Sequence, residues 1–371
     1  MSARRLALSF LCVLGASCAG ATPAPAPSES PVANVVTEAH PTTEPYPELA
    51  AAFDTIVASG FRGVVLFRAA DGPTRLFIHG DADCVGQAPI TRATRFDIGS
   101  ITKQLTGAAI LRLVEQDRLS LDTRLGDIFS NAPSDKAGIT VTQLLMHTSG
   151  LPDSLGADEE YISKTDYLAL AFAAALLTRP GETEEYSNVG YSVLGAIIEQ
   201  ITGQRYEAAL RDLVLTPAGV PGIGYMTGDR ARNACGLLDG ARWGSTRDYF
   251  GADEPSWHLT GNGGLLATPE ELTQWFDAVF AGRVLNAESL ALFTDAIEAT
   301  DRRGRTLRYT SGSNNIFSSL YLTWPGVPAT MMIMTSDSRF QKEGVTPVMF
   351  PAFNAYTDRI SPPAPAETTP Q

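Results

Sequence analysis

Strand-like segments stand at both ends of this chain, and a long helical pattern separates them. Residues 63–67 and 75–79 are rich in Val, Leu, Phe and Ile and flank Asp71-Gly-Pro73, which predicts a hairpin. Residues 305–309, 316–323 and 330–335 predict further strands separated by turns. Between the two groups, residues 120–210 read as mainly helical. Tyr191, Leu194, Ile197, Ile198 and Ile201 form one helical stripe, and Gly203 is placed to end it. Helices are also predicted over 48–59, over 269–280 with Pro269 in the first turn, and over 349–359 with Pro351 in the first turn. The simplest arrangement joins the N- and C-terminal strands in one antiparallel sheet flanked by helices and leaves the middle as an all-helical lobe. This is an α+β fold, with a site expected between sheet and lobe.

The ends of the chain have a different character. Arg4 and Arg5 precede an apolar stretch over residues 6–16 and then Cys18, which together predict a signal peptide over 1–18, too short to span a membrane. Two cleavage patterns are open. Leu14-Gly-Ala-Ser-Cys18 resembles a bacterial lipoprotein box with Cys18 as the lipidated residue, whereas Ala19-Gly-Ala21 suits an ordinary signal peptidase. Residues 19–47 are rich in Pro, Ala, Ser and Thr and predict an extended tether; 361–371 predict a disordered tail, leaving one domain over 48–360. The expected location is the periplasm or cell envelope, with membrane attachment if Cys18 carries a lipid. Beyond the signal, Cys84 and Cys235 are the remaining cysteines, and an oxidising compartment permits them to pair.

A net charge of −13 argues against nucleic acid as a partner, because phosphate contacts need clustered Lys and Arg. The four histidines are far apart and no CxxC or HxxxH spacing occurs, so no metal or other cofactor is expected. Nothing in the sequence sets an oligomeric state.

Chemistry concentrates at Phe96-Asp-Ile-Gly-Ser-Ile-Thr-Lys-Gln-Leu105. Ser100 and Lys103 are three residues apart, so on a helix they share a face. A serine hydroxyl needs a base within hydrogen-bond reach to act as a nucleophile. An apolar run follows, which predicts a buried helix with Ser100 in its first turn. A helix N-terminus there favours a developing anion, and burial is expected to lower the Lys103 pKa. Only four lysines occur among 371 residues, and this is the only one three positions after a serine. A second cluster, Glu185-Tyr-Ser-Asn188, offers a phenol and an amide on a non-helical segment preceding the Tyr191 helix.

Ser100, Lys103, Tyr186 and Asn188 together resemble the serine β-lactamase and penicillin-binding protein superfamily, in particular its class C-like branch of β-lactamases, D-alanyl-D-alanine carboxypeptidases and esterases. Residues 62–66, 119–122, 140–151, 186–191 and 263–269 follow in the order this resemblance predicts, and it covers about residues 48–360. It implies a secreted serine hydrolase in which Ser100 attacks a carbonyl to form an acyl-enzyme. Lys103 would take the hydroxyl proton or tune its neighbour, Tyr186 would shuttle that proton, and Asn188 would bind the substrate amide. The substrate would be a small molecule or a peptidoglycan-like peptide: a β-lactam, a D-Ala peptide or an ester. The Ser100 N–H would form half of an oxyanion hole.

The resemblance departs at its third motif, where a Lys or His is the rule. The best match is Tyr309-Thr-Ser-Gly-Ser313, with Thr310 in the cation's place. Ser311, Gly312 and Ser313 keep the backbone part, and the Ser313 N–H would complete the oxyanion hole. Arg308, two residues earlier, is a candidate replacement for the charge. The departure leaves esters favoured over carboxylate-bearing substrates. It also leaves open a second reading, an envelope protein that kept the fold and lost efficient turnover.

Overall fold

The computed structural model describes residues 44–360, apart from 70–71, 84–85, 227–231, 252–253, 302–303, 328 and 341. The signal, residues 19–43 of the tether, the tail and Cys84 lie outside the described residues. Cys235 is disulfide-bonded, and its N–H donates to Ala82 O at 2.7 Å. Packing against the domain extends ahead of residue 48. Tyr46 is buried, edge-on to Phe67 and Tyr356, and Glu44 pairs with Arg75 at 2.7 Å.

Six strands form the main sheet: β1 (Gly63–Ala69), β2 (Arg75–His79), β3 (Glu298–Thr300), β4 (Thr306–Ser313), β5 (Ser318–Trp324) and β6 (Ala329–Thr335), in the spatial order β2-β1-β6-β5-β4-β3. All neighbours are antiparallel, and β1 is sewn to β6 from Gly63↔Thr335 to Ala69↔Ala329. The N- and C-terminal strands therefore share one sheet, as the strand pattern predicts.

Both faces of this sheet are covered, which explains why its central strands read as unbroken apolar runs. Side chains alternate across a strand. On β1, Val64 and Leu66 join the core beneath the helical lobe, whereas Val65 and Phe67 join a second core on the outer face. Helices α1 (Pro47–Ala58) and α7 (Lys342–Ile360) cover the outer face. The predicted closing helix starts seven residues too late, because Pro347 and Pro351 both lie inside α7. Val345, Met349, Phe353 and Tyr356 give it a continuous buried stripe, so packing outweighs what two prolines remove in backbone hydrogen bonds.

On the inner face lie α2 (Thr102–Glu115), α3 (Val141–Leu145), α4 (Asn188–Thr202), α5 (Pro269–Phe280) and α6 (Ala287–Asp295). Thr268 caps α5 in a capping box with Glu271, and Pro269 occupies its first turn. Gly203 ends α4 with a φ of 72°. The lobe carries less helix than its pattern predicts, since residues 146–163 and 174–187 form long connections. One of these delivers part of the site. Arg68 of β1 ties the sheet to α5 through a two-pronged contact with Asp277, each arm 2.6 Å.

Candidate active site

Ser100 sits in a single 3₁₀ turn, Gly99–Ile101, that runs straight into α2. The turn is held from beneath by Asp97. One carboxylate oxygen accepts the Gly99 N–H at 2.7 Å; the other accepts Asn314 Nδ2 at 3.0 Å and the Thr246 hydroxyl. Burial pushes this carboxyl up to about 6, against the opposing pull of those donors. β4 packs onto the turn backbone to backbone. A Cβ on Gly312 would lie 2.1 Å from Ile98 O and 2.5 Å from Ser100 N. Gly99, at φ 51°, would place one 2.6 Å from Ser313 N. Both positions demand glycine, and the close approach brings the Ser313 N–H beside Ser100.

The direction of that N–H follows from register. Tyr309 donates to Ile297 O on the β3 side of β4, and alternate residues of an antiparallel strand point the same way. Ser313 N–H therefore points to the β3 side, where the last bond from β4 to the β3 segment is the one from Tyr309 to Ile297 O. It faces the cleft, where it and Ser100 N–H can hold an oxyanion.

Ser100 Oγ lies 3.1 Å from Lys103 Nζ and 2.8 Å from Tyr186 Oη. Lys103 is buried, at 1% exposure. Its Nζ also donates to Asn188 Oδ1 at 2.6 Å and to Asn262 O at 2.7 Å, and stands 4.9 Å from the Tyr186 ring centroid. Three hydrogen-bond partners satisfy an ammonium. As a neutral amine, the same group donates to Asn188 and Asn262 and turns its lone pair to the Ser100 hydroxyl. Asn188 is oriented in turn by donating Nδ2 to Asp153 Oδ1 at 2.8 Å. It is the first residue of α4; Ser187, whose hydroxyl accepts from Gly190 N at 2.9 Å, is the cap.

His147 has a place the sequence does not announce. Its ring stacks on Tyr186, with centroids 4.6 Å apart, and its Nδ1 accepts the Ser187 N–H at 3.0 Å. Burial, reinforced by the Lys103 charge, pushes its pKa down to about 3, so the ring is neutral and acts as a wall that orients the phenol. Asn262 is a second such residue. Its carbonyl meets Lys103, and its neighbours Gly261 and Gly264 adopt φ of 89° and 76°. The Gly-Asn-Gly-Gly run was the available signal for this tight turn. Asp97 and Asp153 carry no comparable signature.

Alternation divides the third segment. Gly312 and Thr310 lie on the inner face of β4, with Thr310 buried beside the site. Ser311 lies on the outer face, where with Tyr309 and Leu307 it lines a groove against α7. Its side chain is therefore turned away from the cleft, and only its backbone runs past the site. Arg308 shares the inner face but stands four residues from Gly312, about 13 Å along the strand. It donates to Glu298 Oε1 at 2.8 Å and lies 4.6 Å from the Phe280 ring centroid. That engagement holds it on β3 and α5, away from Ser100.

The cleft, about 300 Å³ counting its open mouth, is lined by Ser100, Asn188, Asn262, Ser313, Asp97 and Asp158, among others. No Arg or His contributes to this lining among the described residues. Within the same residues, no helix is long and apolar enough to cross a membrane, and no group of three or more His, Cys, Asp or Glu is arranged to hold a metal ion.

Comparison with known proteins agrees with this geometry. The family model described as Beta-lactamase matches residues 49–337. Protein flp of Staphylococcus aureus (strain MRSA252) is 32% identical over 150 residues, which are 38% of this chain and 30% of that protein. Penicillin-binding protein 4 of Amycolatopsis lactamdurans is 31% identical over 162 residues, 39% of this chain and 42% of its own. The chain thus matches well under half the length of these curated relatives. Among solved structures, the penicillin binding protein from Bacillus halodurans superposes with a TM-score of 0.69 at 24% identity, over 82% of this chain and 99% of that one. The D-amino acid amidase from Ochrobactrum anthropi SV3 gives 0.70 at 23%, over 83% and 99%. A class C beta lactamase from Rhodobacter sphaeroides gives 0.67 at 18%, over 83% and 99%. At these identities the structural likeness speaks to the fold.

Proposed function

The chain belongs to this Beta-lactamase family, and from that premise we propose that it is a serine acyl-hydrolase working through an acyl-enzyme on Ser100. One observation carries the reading: the Ser100 hydroxyl is within hydrogen-bond reach of both Lys103 Nζ and Tyr186 Oη. The Ser100 oxygen attacks the carbonyl carbon, and its proton passes to the Lys103–Tyr186 pair. The two groups are close enough to titrate together, so the base is the pair rather than either member. The carbonyl oxygen takes the negative charge between Ser100 N–H and Ser313 N–H. Collapse expels the leaving group, which collects the proton from the pair. Water then releases the acyl group by the same steps in reverse roles.

The substrate is an uncharged ester or amide. Thr310 occupies the position of the family's cation, Arg308 is engaged by Glu298, and Asp97 and Asp158 make the cleft acidic. A substrate carboxylate would be desolvated there without an added cation to meet it. A panel of a short-chain p-nitrophenyl ester, an uncharged amide, nitrocefin and a D-Ala-D-Ala peptide tests this. The parent should favour the first two, and Thr310→Lys should raise kcat/KM on the carboxylate-bearing pair by about tenfold relative to the ester. A parent that prefers nitrocefin or the D-Ala peptide refutes the substrate class.

The missing cation also favours a second reading, an envelope protein that kept the fold with little turnover. Absence of Ser100-dependent labelling by both a fluorescent penicillin and a fluorophosphonate would select it. Export is part of either reading, supported by the signal-like N-terminus and the disulfide at Cys235.

A further inference from the structure

Lys103 stands as a partition between two spaces. Its ammonium faces the cleft, where Ser100, Asn188 and the Asn262 carbonyl take its three N–H directions. Its stem faces a second space, a pocket of about 520 Å³ counting the open mouth, set between α2, α3, α4 and α6. Gln104, Gly107 and Leu111 line one wall; Leu145, Tyr191 and Phe293 line the others. From Gln104 to Leu111 the wall runs about 10 Å along α2.

The polar groups around this pocket turn away from it, with one exception. The Tyr191 hydroxyl donates to Leu145 O at 3.2 Å, and the Thr142 hydroxyl donates to Leu121 O at 2.9 Å. Each therefore presents carbon to the space. Gln104 is the exception: it lines the pocket at 3% exposure, and its amide has no hydrogen-bond partner among the described residues. The Gln104 amide keeps a small contact with solvent, so a ligand entering the pocket would have to replace that water with a hydrogen bond of its own. An apolar lining favours an apolar ligand, and the open mouth gives it a way in.

We propose that the pocket binds a neutral alkyl chain of medium length carrying one hydrogen-bonding group, an alkyl amide or alcohol, with that group on the Gln104 amide. A charged head is disfavoured because no ionic group turns toward the pocket; the one cation in its lining, Lys103, spends its donors in the cleft. The ligand is distinct from a substrate acylating Ser100, since the partners of Lys103 separate the two spaces. The proposal does not rest on Ser100 being a nucleophile.

The test uses the full chain with Ser100→Ala, which removes acylation from the readout. N-phenyl-1-naphthylamine serves as the fluorescent probe, displaced by octanamide or, at pH 8, by octanoate. Octanamide should displace it at least about tenfold more tightly than octanoate. A Cβ at Gly107 would have as its nearest neighbour Leu145 Cδ2 at 3.8 Å, so a longer side chain grows into the pocket. Gly107→Leu should weaken both probe and octanamide by about tenfold or more while the melting temperature is kept or raised. If that variant melts early, Leu292→Trp at the pocket lining is read the same way. Gln104→Leu should weaken octanamide and spare the probe. Equal affinity for octanoate, no displacement by millimolar octanamide, or unchanged binding in the filled variants would overturn the proposal.

Discussion

The two sides of Lys103 are built on opposite rules. On the cleft side the ammonium, the serine hydroxyl, the phenol and two asparagines form one connected network. On the pocket side Tyr191 and Thr142 rotate their hydroxyls into the backbone and leave carbon exposed. A buried polar network is worth having only when its members are satisfied. The cleft side meets that condition by drawing the Asn262 carbonyl, the Asn188 side chain and the Ser100 hydroxyl onto a single lysine. A polar cleft and an apolar pocket are thereby separated by one side chain.

Lys103→Met should break this contrast on one side only. It keeps the stem and removes the charge, so turnover of the ester should fall by about 10⁴-fold or more while probe binding in the pocket changes little. A comparable loss of probe binding would mean the two spaces are not separate. Tyr186→Phe sharpens the contrast further. The ring still stacks on His147, and only the hydroxyl is lost, so kcat should drop by about 10²–10⁴ with the melting temperature nearly unchanged.

The next effect is on stability, and its sign differs for two buried groups beside the site. Asp97 is raised from 3.8 to about 6, so folding favours its protonated form. Its contribution is fully present below about pH 4 and is lost as pH rises through about 6. At about 1.4 kcal/mol per pH unit, the advantage of the parent over Asp97→Asn should shrink by up to about 3 kcal/mol between pH 4 and pH 7 in urea titrations. His147 runs the other way. Its pKa is lowered from 6.5 to about 3, so its contribution is present above 6.5 and is lost as pH falls toward 3. A pH-independent difference for Asp97→Asn would show that its carboxyl is not held in a desolvated setting.

Much of the fold was legible because its signals are local. The β1 and β6 runs, the α4 stripe with its Gly203 stop, and Pro269 at the head of α5 all carry their own punctuation. Ser100 and Lys103 were legible for the same reason, being one turn apart. What escaped depends on contacts between distant residues. The Asn262 carbonyl reaches Lys103 across 159 positions, and His147 reaches Tyr186 through a stacked ring that no spacing rule encodes. The start of α7 was hidden by two prolines whose effect only tertiary packing reverses. Where the Ser311 and Arg308 side chains end is set by the strand's alternation and by an ion pair with Glu298, neither of which a motif encodes.

The most direct test of the central claim is intact-protein mass spectrometry after brief exposure to a p-nitrophenyl ester or a fluorophosphonate, followed by peptide mapping. One added acyl or phosphonyl group on the peptide containing Ser100, absent in Ser100→Ala, is the predicted result. An unmodified protein, or a group carried on any other residue, would contradict it.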